Sequence, residues 1–562
     1  MKTGGALKLE RIIVTAALPY ANGEIHLGHP TSTYLPADIL TRFFKLKGDD
    51  AIYVCATDDF GTPVLIEAAQ QGKSPEQFVA YWHEVDSRDF QDLGIAFDIF
   101  YKTSSKENVA LTQHFFKELH RKGHIFKQTV WQPYCENCKK SLPDRYVKGT
   151  CPHCGATDQY SDLCEKCGRT LEPGEIKEPH CALCGTPPTS KQSEHYFFRL
   201  TDFSDQLRKW LTENKNLQLG VKNYVLNWVK EGLRDWDITR DLTWGVPIPL
   251  EEAKGKVLYG WFDNHLCYIS TAQKYFSEKG IDGKEAWNTA KIYHFIGKDI
   301  VYHHYLFLPA MRLGEKEYKL PEFIPTRGHL LLEGDKFSKS RGWYVSLRDF
   351  LNLFRADYLR YYLTAITPYS QSDVNFDWED FKNKINNELI ANIGNFIHRT
   401  LTFVWSNYEG KVPKAGTKDE LDNELEEKIK TIAADTAEEI EKVELNKGLR
   451  KIVEFSAFCN RYFQKKHPWT DKQKAKTCLY LGVNAVRSLA ILLEPFIPFS
   501  AENLWQQLNL KGPVHQQDWH SASELKIKSG HQINKPKILF QKVPEEVIKK
   551  EKEKLRRLSS EA

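Results

Sequence analysis

Apolar positions form short unbroken runs in the first part of the chain and recur at helical spacing in its last third. The runs at 11–17 and 51–56 are apolar and partly β-branched, and each ends at a turn, which is typical of buried strands. A third run at 291–296 is followed by a turn at Gly297 and by a helical stretch that extends to Leu313. Strands that alternate with helices predict an α/β fold with a parallel, doubly wound sheet.

The strand–helix pattern is interrupted once and later replaced. A cysteine-rich stretch begins near residue 125 and separates the first two predicted strands from the third, so we expect an insertion that splits the sheet. From Asp377 the apolar residues keep helical spacing, and no proline occurs between Lys414 and His467. These features predict an all-α region after the sheet, and the mixed-charge end from Glu545 predicts a frayed helix or tail.

Composition narrows the class of protein. The chain has 562 residues, which at roughly 150 per domain suggests three or four domains. Its 41% hydrophobic and 27% charged residues exclude a disordered or low-complexity chain, and a net charge of +4 is too small to diagnose a nucleic-acid partner. We expect no membrane span, and residues 1–11 lack the apolar core of a secretory signal, which indicates the cytoplasm.

The cysteines indicate metal sites. Eight of the 12 form four C-x2-C pairs, and in a cytosolic chain such pairs favour zinc, which takes four thiolates in a tetrahedron. Nesting predicts two closed structural sites, with thioredoxin-like redox chemistry as the weaker alternative. The inner site would use Cys151, Cys154, Cys164 and Cys167, and the outer site Cys135, Cys138, Cys181 and Cys184. The other cysteines are predicted to be core thiols, at Cys55, Cys267, Cys459 and Cys478.

Two distant segments suggest phosphate chemistry. His26-Leu-Gly-His29 follows the first strand at the start of a helix, where backbone N–H groups attract phosphate and Gly28 allows close approach. Far downstream, the segment 336–340 (Lys-Phe-Ser-Lys-Ser) is cationic and rich in donors, so it can close on a polyphosphate. Gly297 and Asp299 supply a close-approach glycine and a carboxylate for a ribose hydroxyl. Taken alone, the first motif could be surface histidines or metal ligands, and the second could be a solvated basic turn.

Together these segments resemble the two signature motifs of class I aminoacyl-tRNA synthetases. The amino-acid sequences of segments 17–23, 295–300 and 466–469, together with the cysteine pairs, resemble those of the methionyl-tRNA synthetase family. The resemblance extends over about residues 10 to 545. The resemblance implies that ATP activates methionine to methionyl-adenylate plus pyrophosphate. Methionine is then transferred to the 3′-end of tRNA-Met for initiation and elongation. It also implies Mg²⁺ with the ATP.

The resemblance implies a Rossmann-type sheet split by a zinc-knuckle connective insertion and followed by an all-α anticodon-binding domain. The predicted divisions are catalytic halves at 1–124 and 226–325, the insertion at 125–225, a signature-loop and stem-contact region at 326–376, the anticodon domain at 377–545 and a charged tail at 546–562. The family often carries a further C-terminal domain that this chain lacks, so we expect a monomer and a separate tRNA-binding partner.

Site residues carry over from the family position by position. Catalytic roles fall to His26, His29, Lys336, Lys339 and Arg240, and ATP binding to Gly28, Gly297, Asp299, Lys336, Ser338 and Lys339. Methionine binding falls to Leu18, Tyr20, Asp58, Trp261, Tyr268, Ile300 and His304, and anticodon binding to Asn395, Arg399, Pro468 and Trp469. Without the family, the tryptophans and Tyr268 would be interpreted as core aromatics and Arg240 as a surface ion pair.

The chain departs from the family at the amino-acid pocket. Asn264 and His265 stand where alanine and proline are usual, and His303 replaces a common aromatic; Phe337 replaces a methionine of the second motif. If the three polar side chains point inward, the pocket is more polar and its selectivity can change. Two alternatives stay open: a class I synthetase for another amino acid, and a non-catalytic tRNA-binding paralogue.

Overall fold

The computed structural model describes residues 10–161, 164, 166, 171, 174–338, 342–470 and 472–561. Its centre is a five-stranded parallel sheet made of β1 (Arg11–Ala16), β2 (Asp50–Thr57), β3 (Ile99–Lys102), β4 (Lys291–Gly297) and β5 (Thr326–Arg327). The order across the sheet is β5-β4-β1-β2-β3. The three predicted strands are therefore confirmed, and β1 pairs with a strand that follows it by about 280 residues.

Helices cover the sheet, as the strand–helix alternation predicts. A π-helical turn at Pro30–Tyr34 leads into the helix Leu35–Leu46, and both elements are almost fully buried beside the strands. After β4, the chain runs through a short 3₁₀ turn at Lys298–Ile300 and a π turn at His303–Phe307 into Leu308–Glu315. The other helices of this part are Thr62–Gln70, Pro75–Asp92, Lys106–Arg121, Gly260–Glu278 and Gly283–Thr289.

The cysteine-rich stretch folds as an antiparallel unit between β3 and β4. A long antiparallel hairpin pairs Ile125–Cys135 with Thr189–Phe198, and the cysteine turns lie at and beyond its tip. Its smaller strands are Lys140–Ser141, Val147–Thr150, Gln159–Tyr160 and Lys177–Cys181. The return to the sheet passes through the helices Ser204–Glu213 and Leu219–Glu231 and the strands Trp236–Asp237, Thr239–Arg240 and Val257–Leu258.

A small sheet joins the five-stranded sheet and its helices to the helical region that follows. It contains Leu330–Leu332, Asp335–Lys336 and Val374–Phe376, with the helices Leu347–Leu353 and Ala356–Ile366 between them. Arg360 of the second helix is fully buried and donates to the Asp38 carboxylate at 2.7 Å. It also donates to the carbonyl oxygens of Pro495 and Phe496, so one guanidinium ties the sheet domain to the helical region.

The last third is helical, as its apolar spacing and lack of proline predict. The helices are Trp378–Asn383, Lys384–Gly394 (π), Asn395–Tyr408, Glu420–Glu441, Leu445–Lys466, Lys472–Leu493, Pro498–Gln507 and Glu545–Glu561, with 3₁₀ turns at Val514–Gln516 and Trp519–Ser523. The segment Lys474–Leu493 has the length and apolarity of a membrane span, but 89% of its apolar window is buried inside the protein, which is typical of a core helix. The predicted charged end is thus an ordered helix through Glu561.

Candidate functional site

The candidate active site lies where the strand order of the sheet reverses. β1 is flanked by β2 on one side and by β4 on the other, so the loops after β1 and β4 leave the sheet in opposite directions. In such sheets ligands bind in the crevice at the carboxyl ends of the two strands. The segments 26–29 and 297–299 follow these two strands, which brings the two predicted phosphate and ribose elements to one crevice.

Backbone contacts orient the two histidines after β1. The N–H of Gly28 donates to His26 Nδ1 at 3.1 Å, and the N–H of His26 donates to His29 Nδ1 at 2.9 Å. Because each Nδ1 accepts a backbone N–H, the neutral form of each ring carries its proton on Nε2; His29 Nδ1 makes a second, longer contact of 3.3 Å with the His26 carbonyl oxygen. A Cβ on Gly28 would lie 2.9 Å from the His26 ring, which explains the glycine between them.

The second signature segment reaches the first through a ring contact. Lys336 ends the strand Asp335–Lys336, and the next residue, Phe337, stacks on His26 with ring centroids 4.7 Å apart. Ser338 pairs with Trp343 by two backbone hydrogen bonds of 2.9 Å. Lys339 lies outside the described residues. Segments about 310 positions apart in sequence are thus in contact beside the same crevice.

One cavity of about 250 Å³ contains most of the predicted ligand-binding residues. Eleven of them line it: Leu18, Tyr20, Gly28, His29, Asp58, Trp261, Tyr268, Gly297, Asp299, Ile300 and His304. Sequence reasoning missed Ser32, Thr33 and Tyr34 of the π turn and His329, whose Nε2 lies 3.8 Å from an Asp299 oxygen. The position of the turn after the histidine motif is the one signal that pointed to the first three.

Asp58 is a buried carboxyl group on the wall of this cavity. Burial, reinforced by the neighbouring Asp59 carboxylate, raises the pKa of Asp58 to about 8. Asn264 Nδ2 donates to one Asp58 oxygen at 3.0 Å, while the other oxygen has no partner among the described residues. A buried carboxylate in this state is stabilised by an arriving cation such as a ligand ammonium.

A hydrogen-bonded chain also lines the cavity. His304 Nδ1 lies 3.1 Å from the Ile300 carbonyl oxygen, and His304 Nε2 lies 2.9 Å from the Tyr268 hydroxyl. Burial lowers the pKa of His304 to about 4, so its ring is neutral and holds a single proton. The carbonyl fixes that proton on Nδ1, and Tyr268 then donates to Nε2.

The three unusual residues of the pocket occupy different positions. Asn264 lines the cavity beside Asp58. His303 stacks on Trp261 with centroids 4.0 Å apart and planes inclined by 7°, and His265 is fully buried beside both rings. Only Asn264 therefore adds a polar group to the cavity surface; the two histidines stand behind the Trp261 ring.

Arg240 lies next to the main cavity. It lines a second cavity of about 250 Å³ that shares Tyr20 and Trp261 with the first and extends toward Arg145 of the insertion. The Arg240 guanidinium packs over the Tyr259 ring at 4.0 Å and donates to the Thr239 carbonyl at 2.7 Å. It also forms an ion pair with Asp237, with 3.7 Å between Nη1 and Oδ1, so the blander interpretation as an ion pair describes part of its surroundings, on a cavity wall and not on the open surface.

The cysteine turns form two clusters whose pairing follows the nested prediction. The thiols of Cys135, Cys138, Cys181 and Cys184 lie within 4.8 Å of one another, and so do those of Cys151, Cys154 and Cys164; Cys167 lies outside the described residues. The shortest Sγ–Sγ separations are 3.4 and 3.6 Å, close to the ~3.8 Å that Zn–S bonds of about 2.3 Å give in a tetrahedron. The donor sets therefore fit structural zinc. The four remaining cysteines are buried, as predicted.

The predicted anticodon residues are only partly brought together. Arg399 packs over Phe463 at 4.9 Å and Trp469 at 5.9 Å, and these three line an open cavity of about 270 Å³. Trp469 is 46% exposed, which contradicts its interpretation as a buried core residue. Asn395 is exposed on the same helix but does not line that cavity, and Pro468 is buried. Sequence reasoning missed His398, Thr402 and Asn407 on the cavity wall.

The chain matches two models of known protein families. Residues 12–401 match the model described as tRNA synthetases class I (M), and residues 412–559 match the anticodon binding domain of methionyl tRNA ligase. The methionine–tRNA ligase of Methanopyrus kandleri is 44% identical over 98% of this chain and 83% of its own length. That of Pyrococcus furiosus is 42% identical over 96% of this chain and 76% of its own length.

Solved structures show the same fold. A Mycobacterium tuberculosis methionyl-tRNA synthetase in complex with methionyl-adenylate aligns with a TM-score of 0.79 and 24% identity, over 95% of this chain and 100% of that one. Its apo form aligns with a TM-score of 0.74 and 22% identity, over 96% and 99% of the two chains. By the family models and the 44% identity, this chain belongs to the methionine–tRNA ligase family of class I aminoacyl-tRNA synthetases.

Proposed function

We propose that this protein is an ATP-dependent methionine–tRNA ligase that forms methionyl-adenylate and pyrophosphate and then charges tRNA-Met. The observation that supports this proposal most strongly is that one cavity is lined both by the buried Asp58 and by His29, Gly297 and Asp299. The last three follow the two strands at which the strand order of the sheet reverses. An amino acid held by its ammonium at Asp58 directs its carboxylate toward the phosphate elements. The curated relatives of the same name at 41–44% identity support the assignment.

Positioning and charge stabilisation would supply the chemistry. The methionine carboxylate attacks the α-phosphorus of ATP, the bond to the β-phosphate oxygen breaks, and pyrophosphate leaves. The Nε2–H donors of His26 and His29 would hold phosphate oxygens, and Lys336 and Lys339 would neutralise the charge that develops as pyrophosphate departs. Mg²⁺ bound with ATP would share that charge. Gly297 and Asp299 would receive the ribose, with Ser338 on the closing loop.

The remaining predicted residues would hold the two substrates of the transfer step. Tyr20, Leu18, Ile300 and Trp261 would enclose the methionine side chain, with Tyr268 and His304 along its wall. Arg240, between the two cavities, would position the reacting carboxylate. Arg399 and Trp469 would stack and hydrogen-bond an unstacked anticodon base, with Asn395 one helical turn before Arg399 and Pro468 fixing the turn.

Amino-acid-dependent ATP–pyrophosphate exchange, run with each of the twenty amino acids, tests this function. We expect exchange with methionine alone. Exchange with another amino acid would favour the alternative of a different class I synthetase, for which the polar Asn264 on the cavity surface is the specific observation. A folded protein that exchanges with none of the twenty would support the non-catalytic, tRNA-binding alternative.

We also propose that the two cysteine clusters bind structural zinc, one ion each. Zinc would lock the tip of the insertion and leave no open coordination position. Replacing Cys135 with serine should lower the zinc content by about one ion per chain, and Cys151→Ser should do the same for the other cluster. Cys55→Ser, which alters a buried cysteine far from both clusters, should leave the content unchanged. An unchanged content in the first two variants would contradict the zinc proposal.

The domain divisions, the monomeric state, the cytoplasmic location and a separate tRNA-binding partner stay predictions from the sequence. Sedimentation of the purified protein tests the second of these. Addition of tRNA to the same experiment would show whether the chain binds tRNA without help.

A further inference from the structure

A buried histidine joins the long hairpin of the cysteine-rich stretch to the segment that carries Arg240. His195 lies on the hairpin strand Thr189–Phe198 and is buried. Its Nδ1 lies 2.7 Å from one oxygen of Asp237, and its Nε2 lies 3.5 Å from one oxygen of Asp241. Asp237 is three residues before Arg240 and Asp241 directly follows it, so one imidazole contacts the chain on both sides of the arginine.

The two aspartates favour the charged form of this histidine. Burial lowers the pKa of His195, but the contacts with Asp237 and Asp241 raise it by more, and the net shift is upward. A protonated imidazole carries an N–H on both ring nitrogens. The ring can therefore face a carboxylate with each of them, whereas a neutral ring would turn a nitrogen without a proton toward one carboxylate.

Asp241 ties the same hairpin to the two-stranded ribbon that holds Arg240. It accepts a hydrogen bond from the Ser193 hydroxyl of the hairpin at 2.7 Å and forms an ion pair with Lys256. Lys256 directly precedes Val257, which is the residue opposite Arg240 in the ribbon. The charged contacts are thus located next to the strand pair from which Arg240 projects.

Asp237 connects His195 to the guanidinium itself. One Asp237 oxygen faces His195, and the other accepts a hydrogen bond from the Thr239 N–H at 3.1 Å and lies 3.7 Å from Arg240 Nη1. The same Nη1 donates to the Asp237 backbone carbonyl oxygen at 3.4 Å. Because one carboxylate contacts both side chains, the direction of Arg240 depends on where His195 holds Asp237.

We propose that His195 is a positioning residue for methionine activation: it holds the carboxylates on either side of Arg240 and thereby fixes the direction in which Arg240 reaches the reacting carboxylate of the substrate. The proposal rests on the proposed function and deepens it. Arg240 lines a cavity, whereas His195 lines neither the amino-acid cavity nor its neighbour, so His195 acts through Arg240. The hairpin then contributes to the chemistry through this contact, because a charged group acts on a reaction only when it is held in place beforehand.

The test is a double-mutant cycle on kcat for methionine-dependent ATP–pyrophosphate exchange. His195→Leu removes both contacts and should lower kcat by about tenfold to a hundredfold, as misplacement of a reacting group does, with a change of less than about twofold in the KM for methionine. Arg240→Ala should lower kcat at least as much. The double variant should be no slower than Arg240→Ala, because no guanidinium is left to position. His195→Gln can still donate to Asp237 and should recover part of the rate.

Glu194→Gln is the matched control, because Glu194 is the neighbour of His195 and forms only an exposed ion pair with Lys127 across the hairpin. Its kcat should equal that of the unaltered protein. An unchanged kcat in His195→Leu or in Arg240→Ala would overturn the proposal, and so would a double variant slower than Arg240→Ala by the full factor seen for His195→Leu. If His195→Leu does not fold, Asp241→Asn replaces it in the cycle and is judged by the same results. Absence of methionine exchange in the unaltered protein would instead refute the proposed function.

Discussion

The proposed catalytic cavity and the proposed anticodon-side cavity differ in burial and in charge. In the first, Asp58 is 3% exposed, has a strongly raised pKa and keeps an oxygen without a partner. In the second, Trp469 is 46% exposed and already packs with Arg399. In the first site the ionised form of Asp58 is disfavoured until a cation pairs with it, whereas the second site is a preformed stacking surface open to solvent.

This difference predicts that substitutions in the two cavities affect different steps of the proposed reaction. A ligand of the buried cavity must bring charge and must be held within a few tenths of an ångström of the reacting groups, so small changes there should abolish chemistry. A base on the exposed surface gains only stacking and a few hydrogen bonds. Changes there should lower the efficiency of tRNA charging and leave adenylate formation intact.

The largest expected effect concerns His29. Replacing it with alanine removes one preorganised donor to the phosphates and should lower the rate of methionine-dependent exchange by about 10²- to 10³-fold. His520→Ala, at an exposed histidine of the helical region, should leave exchange unchanged. Near-normal exchange in the His29 variant would remove the histidine motif from the catalytic site.

A smaller effect is expected for Trp469. Alanine there removes a base-stacking surface, which is worth about 1–3 kcal/mol, so kcat/KM for tRNA charging should fall by about fivefold to 150-fold. Exchange without tRNA should not change. Tyr81→Ala removes an aromatic that is 51% exposed on a helix of the catalytic part and serves as the control. A loss of exchange in the Trp469 variant would break the comparison between the two regions.

A graded effect is expected from pH. With a pKa of about 8, Asp58 is protonated below that pH in the free protein, and only its carboxylate pairs with an ammonium. The KM for methionine should therefore fall by up to about tenfold per pH unit as pH rises toward 8, and then level off. Because this pKa is raised on folding, the stabilising contribution of the protonated group is complete below pH ~4 and is lost as pH rises to about 8. A KM that does not change with pH between 6 and 8 would show that Asp58 is not the ammonium partner.

The local features of this structure could be predicted from the sequence, whereas its long-range contacts could not. The cysteine pairs and the strands at 11–17, 51–56 and 291–296 are local signals, and the structure has the clusters and strands where they indicate. The family resemblance placed Asp58 and Trp261 on one cavity, which spacing alone does not do. The stack of Phe337 on His26 and the position of His265 behind Trp261 depend on tertiary packing, which no local pattern encodes.

The orientation of the unusual pocket residues shows the same limit. The sequence left open whether Asn264, His265 and His303 face the ligand. The first two lie on one helix and the third on a π turn, and the angle between these elements is set by packing. In the structure the helix turns Asn264 toward Asp58 and His265 away from the cavity. Neighbouring residues therefore have different surroundings although their side chains are similarly polar.

The most direct measurement is a crystal structure with a non-hydrolysable methionyl-adenylate analogue. The account predicts its ammonium at hydrogen-bond distance from Asp58, its phosphate mimic beside His26 and His29, its ribose at Asp299 and its side chain against Trp261. An analogue bound outside this cavity, or bound there with its ammonium away from Asp58, would contradict the central claim that the switch-point cavity is the site of methionine activation.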